Sequence, residues 1–163
     1  MNENRIEKKF VLGKHKDDFL KKFLLLNGFT KQFPDRRISS IYVDTINYDF
    51  VRDNINGVSE RKKIRFRWYN GDENKIYIEE KNKKNFQVWK NIEKIQLSKN
   101  YKELVFKLKE YFVSKNINKV KNFNYKFILK TDYKRSYWIS NDKKFRATID
   151  IDINSSSLKN FLK

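Results

Sequence analysis

Nine consecutive residues constrain this chain more than any others: Arg61-Lys62-Lys63-Ile64-Arg65-Phe66-Arg67-Trp68-Tyr69. Read with the period of two that a strand imposes, Arg61, Lys63, Arg65 and Arg67 fall on one side, and Ile64, Phe66 and Trp68 on the other. The apolar side must bury. The other side is a row of cations with no acid among them. Neighbours along the row stand roughly 7 Å apart and repel by about 0.6 kcal/mol even in water. Such a row persists if it is solvated, if acids on adjacent strands pair with it, or if an anion neutralises it. We read it the third way, as a pre-built site for a chain of phosphates to which all four cations contribute.

The bulk charge agrees. Lys and Arg number 38 against 20 Asp and Glu, a net charge of +18. That favours a polyanionic partner: nucleic acid, polyphosphate or an anionic membrane surface. A compositional bias towards Lys, Asn and Ile could raise the net charge, but it does not explain arginines clustered at 61, 65 and 67. The length of 163 residues, with one Pro and four Gly, suits a single domain without a long flexible linker. Cysteine is absent, which excludes disulfides, a thiol nucleophile and thiolate metal sites, and suits the cytoplasm. His15 is the only histidine, so a His-based triad or zinc site is excluded. The start has no apolar signal core, and the run Phe23 to Leu26 is too short to span a bilayer, so a soluble protein is expected.

Taken in order, Arg5 to Leu12 reads as a first strand. Arg5, Glu7 and Lys9 share one face; Ile6, Phe10 and Leu12 share the other, interrupted by Lys8. The charged face is either self-compensating and solvated, or a phosphate-binding pair around a carboxylate that helps hold a divalent metal. Lys14 to Asn27 reads as a helix stopped by Gly28. Pro34 is expected to break the chain before a strand from Ile38 to Thr45. Asn47 to Asn54 suits a short helix, followed by an Asn56-Gly57 turn. After the cationic strand, Asn70-Gly71-Asp72 signals a hairpin. The return strand, Lys75 to Lys83, places Tyr77, Glu79, Lys81 and Lys83 on one face. Glu79 would lie beside the arginines, either compensating them or binding metal. A further strand, Phe86 to Leu97, carries Lys90 in phase with Val88 and Ile92.

Asn100 with Glu103 resembles a capping box for a second long helix, whose stripe is Tyr101, Leu104, Leu108, Tyr111 and Phe112. Asn116 to Asn124 is a basic connection. Tyr125 to Ile139 is a long strand with Phe127, Leu129, Tyr133, Arg135 and Tyr137 in phase. An Asn141-Asp142 turn leads to a strand from Lys144 to Ile153, with Arg146, Thr148, Asp150 and Asp152 on its polar face. The tail from Asn154 to Ser157 reads as a turn. About seven strands and two helices result. The strand patterns alone leave two options: a barrel with its apolar faces inward, or one with a charged interior and helices packed outside.

In this order the motifs resemble those of the VTC domain, within the triphosphate tunnel metalloenzyme superfamily. Arg5, Glu7, Lys9 and Phe10 match its opening strand, and Ser40-Ile41-Tyr42-Val43-Asp44-Thr45 its second motif. Arg65-Phe66-Arg67-Trp68-Tyr69 and Glu79-Glu80-Lys81 follow, then Lys90, then Tyr133 with Arg135, then Arg146, Thr148 and Asp150. No single motif is specific, but seven in the right order span residues 5 to 152. The resemblance implies an α+β fold: a mostly antiparallel tunnel-type barrel, eight-stranded in the family, with inward basic residues and two main helices outside. It implies one such domain over residues 1–163, short of the family's C-terminal strand, whose Glu is a metal ligand. Lys8 also departs from the family pattern, which has an apolar residue there.

The resemblance further implies that Lys9, Arg65, Arg67, Lys81, Lys90, Arg135 and Arg146 grip phosphate oxygens. Tyr133 adds a hydrogen bond, and Arg65, Arg67 and Lys81 act in catalysis. A divalent metal, Mn or Mg, would rest on Glu7, Glu79 or Asp150. Family members polymerise polyphosphate from ATP, hydrolyse triphosphates or cyclise ATP. The implied partners are ATP, triphosphate or polyphosphate, and a second chain could complete the tunnel. The expected activity is therefore that of a polyphosphate polymerase or triphosphatase. The alternatives are a non-catalytic polyphosphate- or nucleotide-binding module, or a basic nucleic-acid-binding β protein. Against the last, Phe66 and Trp68 lie opposite the cations, whereas a stacking platform needs both on one face.

Overall fold

The computed structural model describes residues 6–13, 16–96, 103, 106–107, 110–111 and 125–158. Arg5, His15, much of the expected second helix and the connection from 116 to 124 lie outside them. The chain runs α1 (Asp17–Leu26), β1 (Phe29–Thr45), α2 (Asp49–Ile55), β2 (Glu60–Tyr69), β3 (Lys75–Lys84), β4 (Gln87–Gln96), β5 (Tyr125–Ser140) and β6 (Arg146–Ser157). The class is α+β. All six strands join one antiparallel sheet in the order β4-β3-β2-β1-β5-β6.

This sheet is open, which corrects the expected closed barrel and its strand count. Among the described residues, β4 and β6 pair on one side only, so no ladder closes the sheet. The expected opening strand is also not formed. Residues 6–12 have no regular structure, with Ile6, Phe10 and Val11 exposed. Lys8 breaks the apolar alternation there, leaving no continuous face to bury.

Two further boundaries differ. Pro34 does not end a segment: β1 passes through it, with one register shift just before it, between Lys31 and Phe33, and one across it, between Phe33 and Arg36. A residue without an N–H leaves the ladder locally unpaired, and a bulge absorbs the mismatch. At the other end, Asn154 to Ser157 continue β6 instead of turning. The left-handed backbone of Asp152 (φ 53°), opposite the shift between Asp132 and Lys134, lets the strand resume its pairing.

Local signals act where expected elsewhere. Gly28 (φ 74°) ends α1, donating its N–H to the Leu25 carbonyl. Asn70 and Gly71 both have positive φ, as a type I′ turn requires, and the Asp72 N–H closes it on the Tyr69 carbonyl at 3.0 Å. Asp44 is fully buried and accepts from the N–H groups of Thr45, Phe50 and Val51, joining β1 to the start of α2. No described helix is long and apolar enough to cross a membrane.

The core lies on one face of the sheet. Ile41 and Val43, Ile64, Phe66 and Trp68, Ile76 and Ile78, Ile95 and Phe127 form it, with Tyr111, Leu158 and Phe50 of α2 packed against it. Complete burial of each such side chain stabilises by roughly 1.5–3 kcal/mol. The strands alternate, so burying this face turns Arg65 and Arg67 to the opposite one.

Candidate functional site

The charged face is assembled by register. Across β2 and β1, Arg65 lies opposite Tyr42, Arg67 opposite Ser40, and Tyr69 opposite Ile38. On the other flank, β3 sets Glu79 opposite Arg65, Tyr77 opposite Arg67, and Lys81 opposite Lys63. Lys90 of β4 lies opposite Lys81. Beyond β1, β5 sets Thr131 opposite Ser40, Tyr133 opposite Ile38, and Arg135 opposite Arg36. Asp150 of β6 lies opposite Arg135. Paired residues share a face, so all six strands contribute to one surface.

Glu79 is the hub of its near half. It is 4% exposed. Arg65 approaches Oε2 through Nε at 2.7 Å and a second nitrogen at 2.6 Å, and Lys90 Nζ donates to Oε1 at 2.7 Å. Burial alone would raise its pKa, but the Lys90 hydrogen bond and the charges of Arg65 and Arg67 prevail and hold it below the usual carboxylate range. Burial likewise works against the Arg65 charge, and Glu79 and Tyr42 outweigh it, so the Arg65 pKa is raised.

Arg67 is different. It is 8% exposed, yet none of its polar contacts is short. Its Nε reaches Ser40 Oγ at 3.4 Å, one terminal nitrogen reaches Tyr133 Oη at 3.4 Å, and the other stands 3.5 Å from Glu79. Ordinary N–H···O bonds fall at 2.7–3.2 Å. In the same cross-strand row, the buried Thr131 Oγ1 has no hydrogen-bond partner. By contrast, Asp150 chelates Arg135 through both oxygens, at 2.6 and 2.7 Å, and this raises its pKa. The face therefore holds two satisfied guanidinium groups, Arg65 and Arg135, with an under-bonded one between them.

The other anticipated residues are dispersed. Arg61 donates to the Val58 carbonyl at 2.9 Å, at the end of β2. Lys63 and Lys81 are exposed in one row with Lys90. Arg146 is exposed at the first position of β6. Lys9 and Glu7 stand outside the sheet, their side chains 83% and 60% exposed, and lie 4.0 Å from one another.

The candidate metal ligands do not converge. Among the described residues no three His, Asp or Glu side chains form a metal-binding group. Both oxygens of Glu79 and both of Asp150 are held by cations, and Glu7 is not in the sheet. A divalent ion would have to displace charge-assisted hydrogen bonds to reach these carboxylates. The described donor set does not fit a resident metal.

Sequence reasoning missed three features. Arg36 lies on the charged face with its guanidinium over the rings of Phe33, Tyr69 and Tyr137. Its signal was hidden behind Pro34, read as a break. Glu80 is buried on the apolar face, accepting from Tyr111 Oη at 2.8 Å and Asn91 Nδ2 at 3.4 Å, with Lys62 Nζ at 3.4 Å. The even position of Glu80 in β3, in phase with Ile76 and Ile78, was that signal. The third is the phase of β5. Phe127 enters the core while Leu129 pairs with Tyr42 on the charged face, because a shift at Ile128 separates them. Leu129, Tyr133, Arg135 and Tyr137 share a face as expected, and Phe127 alone is out of phase with them.

A search of curated proteins gives no match. Among solved structures, a candidate adenylate cyclase from Vibrio parahaemolyticus is similar at 14% identity and a TM-score of 0.51, over 88% of this chain and 69% of that one. A protein from Pyrococcus horikoshii OT3 is similar at 17% identity and a TM-score of 0.48, over 85% of this chain and 66% of that one. The chain spans about two thirds of the length of each, and the first of these likenesses speaks to the fold alone. The VTC domain matches residues 4–161. Since that match covers almost the whole sequence, this chain belongs to the VTC domain family.

Proposed function

We propose that the charged face binds the phosphate chain of a triphosphate or polyphosphate, centred on Arg67. One observation carries the reading: Arg67 is nearly enclosed, yet its nearest polar contacts are 3.4–3.5 Å away. A buried charge without good partners is expensive, and an oxyanion supplies what a guanidinium fork lacks. Thr131 Oγ1 offers a further donor in the same row. Membership of the VTC domain family supports phosphate as that anion.

Turnover is the finer part of the reading. The terminal phosphoryl group of ATP passes to the terminal oxygen of an acceptor phosphate chain. A new P–O bond forms there, the bond to the β-phosphate oxygen breaks, and its electron pair leaves with ADP. Arg65, Arg67 and Lys81 stabilise charge on the transferring oxygens, the main task of a protein in this chemistry. A second reading, a binding module without turnover, draws on the engagement of Glu79 and Asp150 in arginine pairs. That engagement leaves neither carboxylate open to act as a base or metal ligand.

Nucleic acid is the control. Phe66 and Trp68 do face away from the cations, but Tyr42, Tyr69, Tyr77, Tyr133 and Tyr137 share the charged face. The test is calorimetric titration of tripolyphosphate, with a single-stranded oligonucleotide of equal charge in parallel. Arg67→Ala should weaken tripolyphosphate binding by roughly 10- to 100-fold, the value of charge-assisted hydrogen bonds. Chelation of divalent ions should leave the affinity unchanged. Equal affinity for the oligonucleotide, or no effect of the substitution, would refute the reading.

A further inference from the structure

Arg36 has an environment unlike any other arginine on the charged face. Its guanidinium carbon lies 5.7 Å from the Phe33 ring centre, 6.0 Å from Tyr69 and 5.8 Å from Tyr137. The acid next to it in the chain and the acid in its cross-strand row are engaged elsewhere. Asp35 takes Lys31 and lies 3.9 Å from Lys134, and Asp150 takes Arg135. Among the described residues Arg36 has no carboxylate partner. A guanidinium steadied by ring faces keeps its N–H groups, which lie in its plane, free for an acceptor. Carboxylate chelation, as at Arg135, uses those same groups. Arg36 is therefore fixed in position and open in chemistry.

Its location gives this a direction. Arg36 and Ser40 are four residues apart on β1, about 13 Å of strand. Ser40 is paired with Arg67. Tyr133, which accepts from Arg67, lies in the intervening row, opposite Ile38. We propose that Arg36 is a second phosphate-binding residue, engaging a linear phosphate chain that lies along β1 from Arg67 towards the ring box. This rests on the reading of Arg67 as a phosphate site and adds a subsite that a short ligand centred on Arg67 does not reach.

The test compares tripolyphosphate with a polyphosphate several times longer, titrated at fixed ionic strength into wild type, Arg36→Ala, Arg36→Gln and Lys22→Ala. Lys22 is an exposed cation on α1 that controls for net charge. Arg36→Ala and Arg36→Gln should each weaken long-chain binding by about tenfold and leave tripolyphosphate binding unchanged, the scale of one charge-assisted contact. Lys22→Ala should change neither. Gln preserves bulk within the ring box, so a loss seen with Ala but not Gln would assign the effect to packing and overturn the proposal. An equal loss for both ligands, or none for either, would overturn it too. Failure of the Arg67 reading has a separate signature: Arg67→Ala would then bind both ligands as wild type does.

Discussion

The two halves of the charged face solve the same problem in opposite ways. Towards β6, Arg135 and Asp150 form a closed one-to-one pair at 2.6 and 2.7 Å. Towards β4, one carboxylate, Glu79, serves three cations, and only two of them closely. That pair is neutral by itself. The second half carries excess positive charge in a secluded place, and its geometry leaves that excess on Arg67. The number of cations does not mark a binding site; the distribution of acids among them does.

Removing the shared acid should break this contrast most visibly. Glu79→Gln leaves Arg65 and Arg67 facing one another without a counter-charge. It should destabilise the fold by about 3 kcal/mol in urea unfolding, as expected when one partner of a buried pair is lost. It should also raise tripolyphosphate affinity, because two guanidinium groups become open. A fall in that affinity would mean that Glu79 takes part in ligand binding, and would revive it as a metal ligand.

The same change in the closed half should do less. Asp150 is 30% exposed, so Asp150→Asn should cost about 1 kcal/mol after solvent screening. It should release Arg135 and increase long-chain binding more than tripolyphosphate binding, since Arg135 lies opposite Arg36. A cost equal to that of Glu79→Gln would erase the distinction between the halves.

Acid should give the smallest effect. The Glu79 pKa is lower in the folded chain than in the unfolded one. Its stabilising contribution is therefore complete above the ordinary Glu value, about 4.3, and is lost as pH falls through the depressed folded value. Glu80 and Asp132 are shifted in the same direction and add to the slope. Unfolding followed from pH 6 down to pH 3, each about the range where carboxylates titrate, should show wild type losing stability faster than Glu79→Gln. Parallel curves would remove Glu79 from that account.

Much of this was legible in the chain itself. Strict alternation from Arg61 to Trp68 set the two faces of β2, Asn70-Gly71 set the hairpin, and Gly28 ended α1. These depend on local backbone preference and on a period of two. What escaped depends on partners distant in sequence. Nothing near Arg67 or Arg135 reveals that one receives a dedicated acid and the other shares one, since those acids arrive from β3 and β6. The shifts at Ile128 and around Pro34 change the phase inside strands whose side-chain pattern reads as continuous, and they concealed Arg36 and misplaced Phe127. Arg5 to Leu12 failed for the opposite reason. A motif supplied the pattern of a strand, but Lys8 deprived it of a face to bury.

Glu79 and Glu80 are adjacent in the chain and point through opposite sides of the sheet. One is held by Lys90 and Arg65, the other by Tyr111 and Lys62. If β3 slipped by one residue in one direction, Ile78 would come to lie opposite Arg65 and leave the arginines bare; in the other direction, Glu79 would come to lie opposite Phe66 in the core. Two neighbouring acids thus act as a check on strand alignment, since a slip either way strands charge on one side of the sheet.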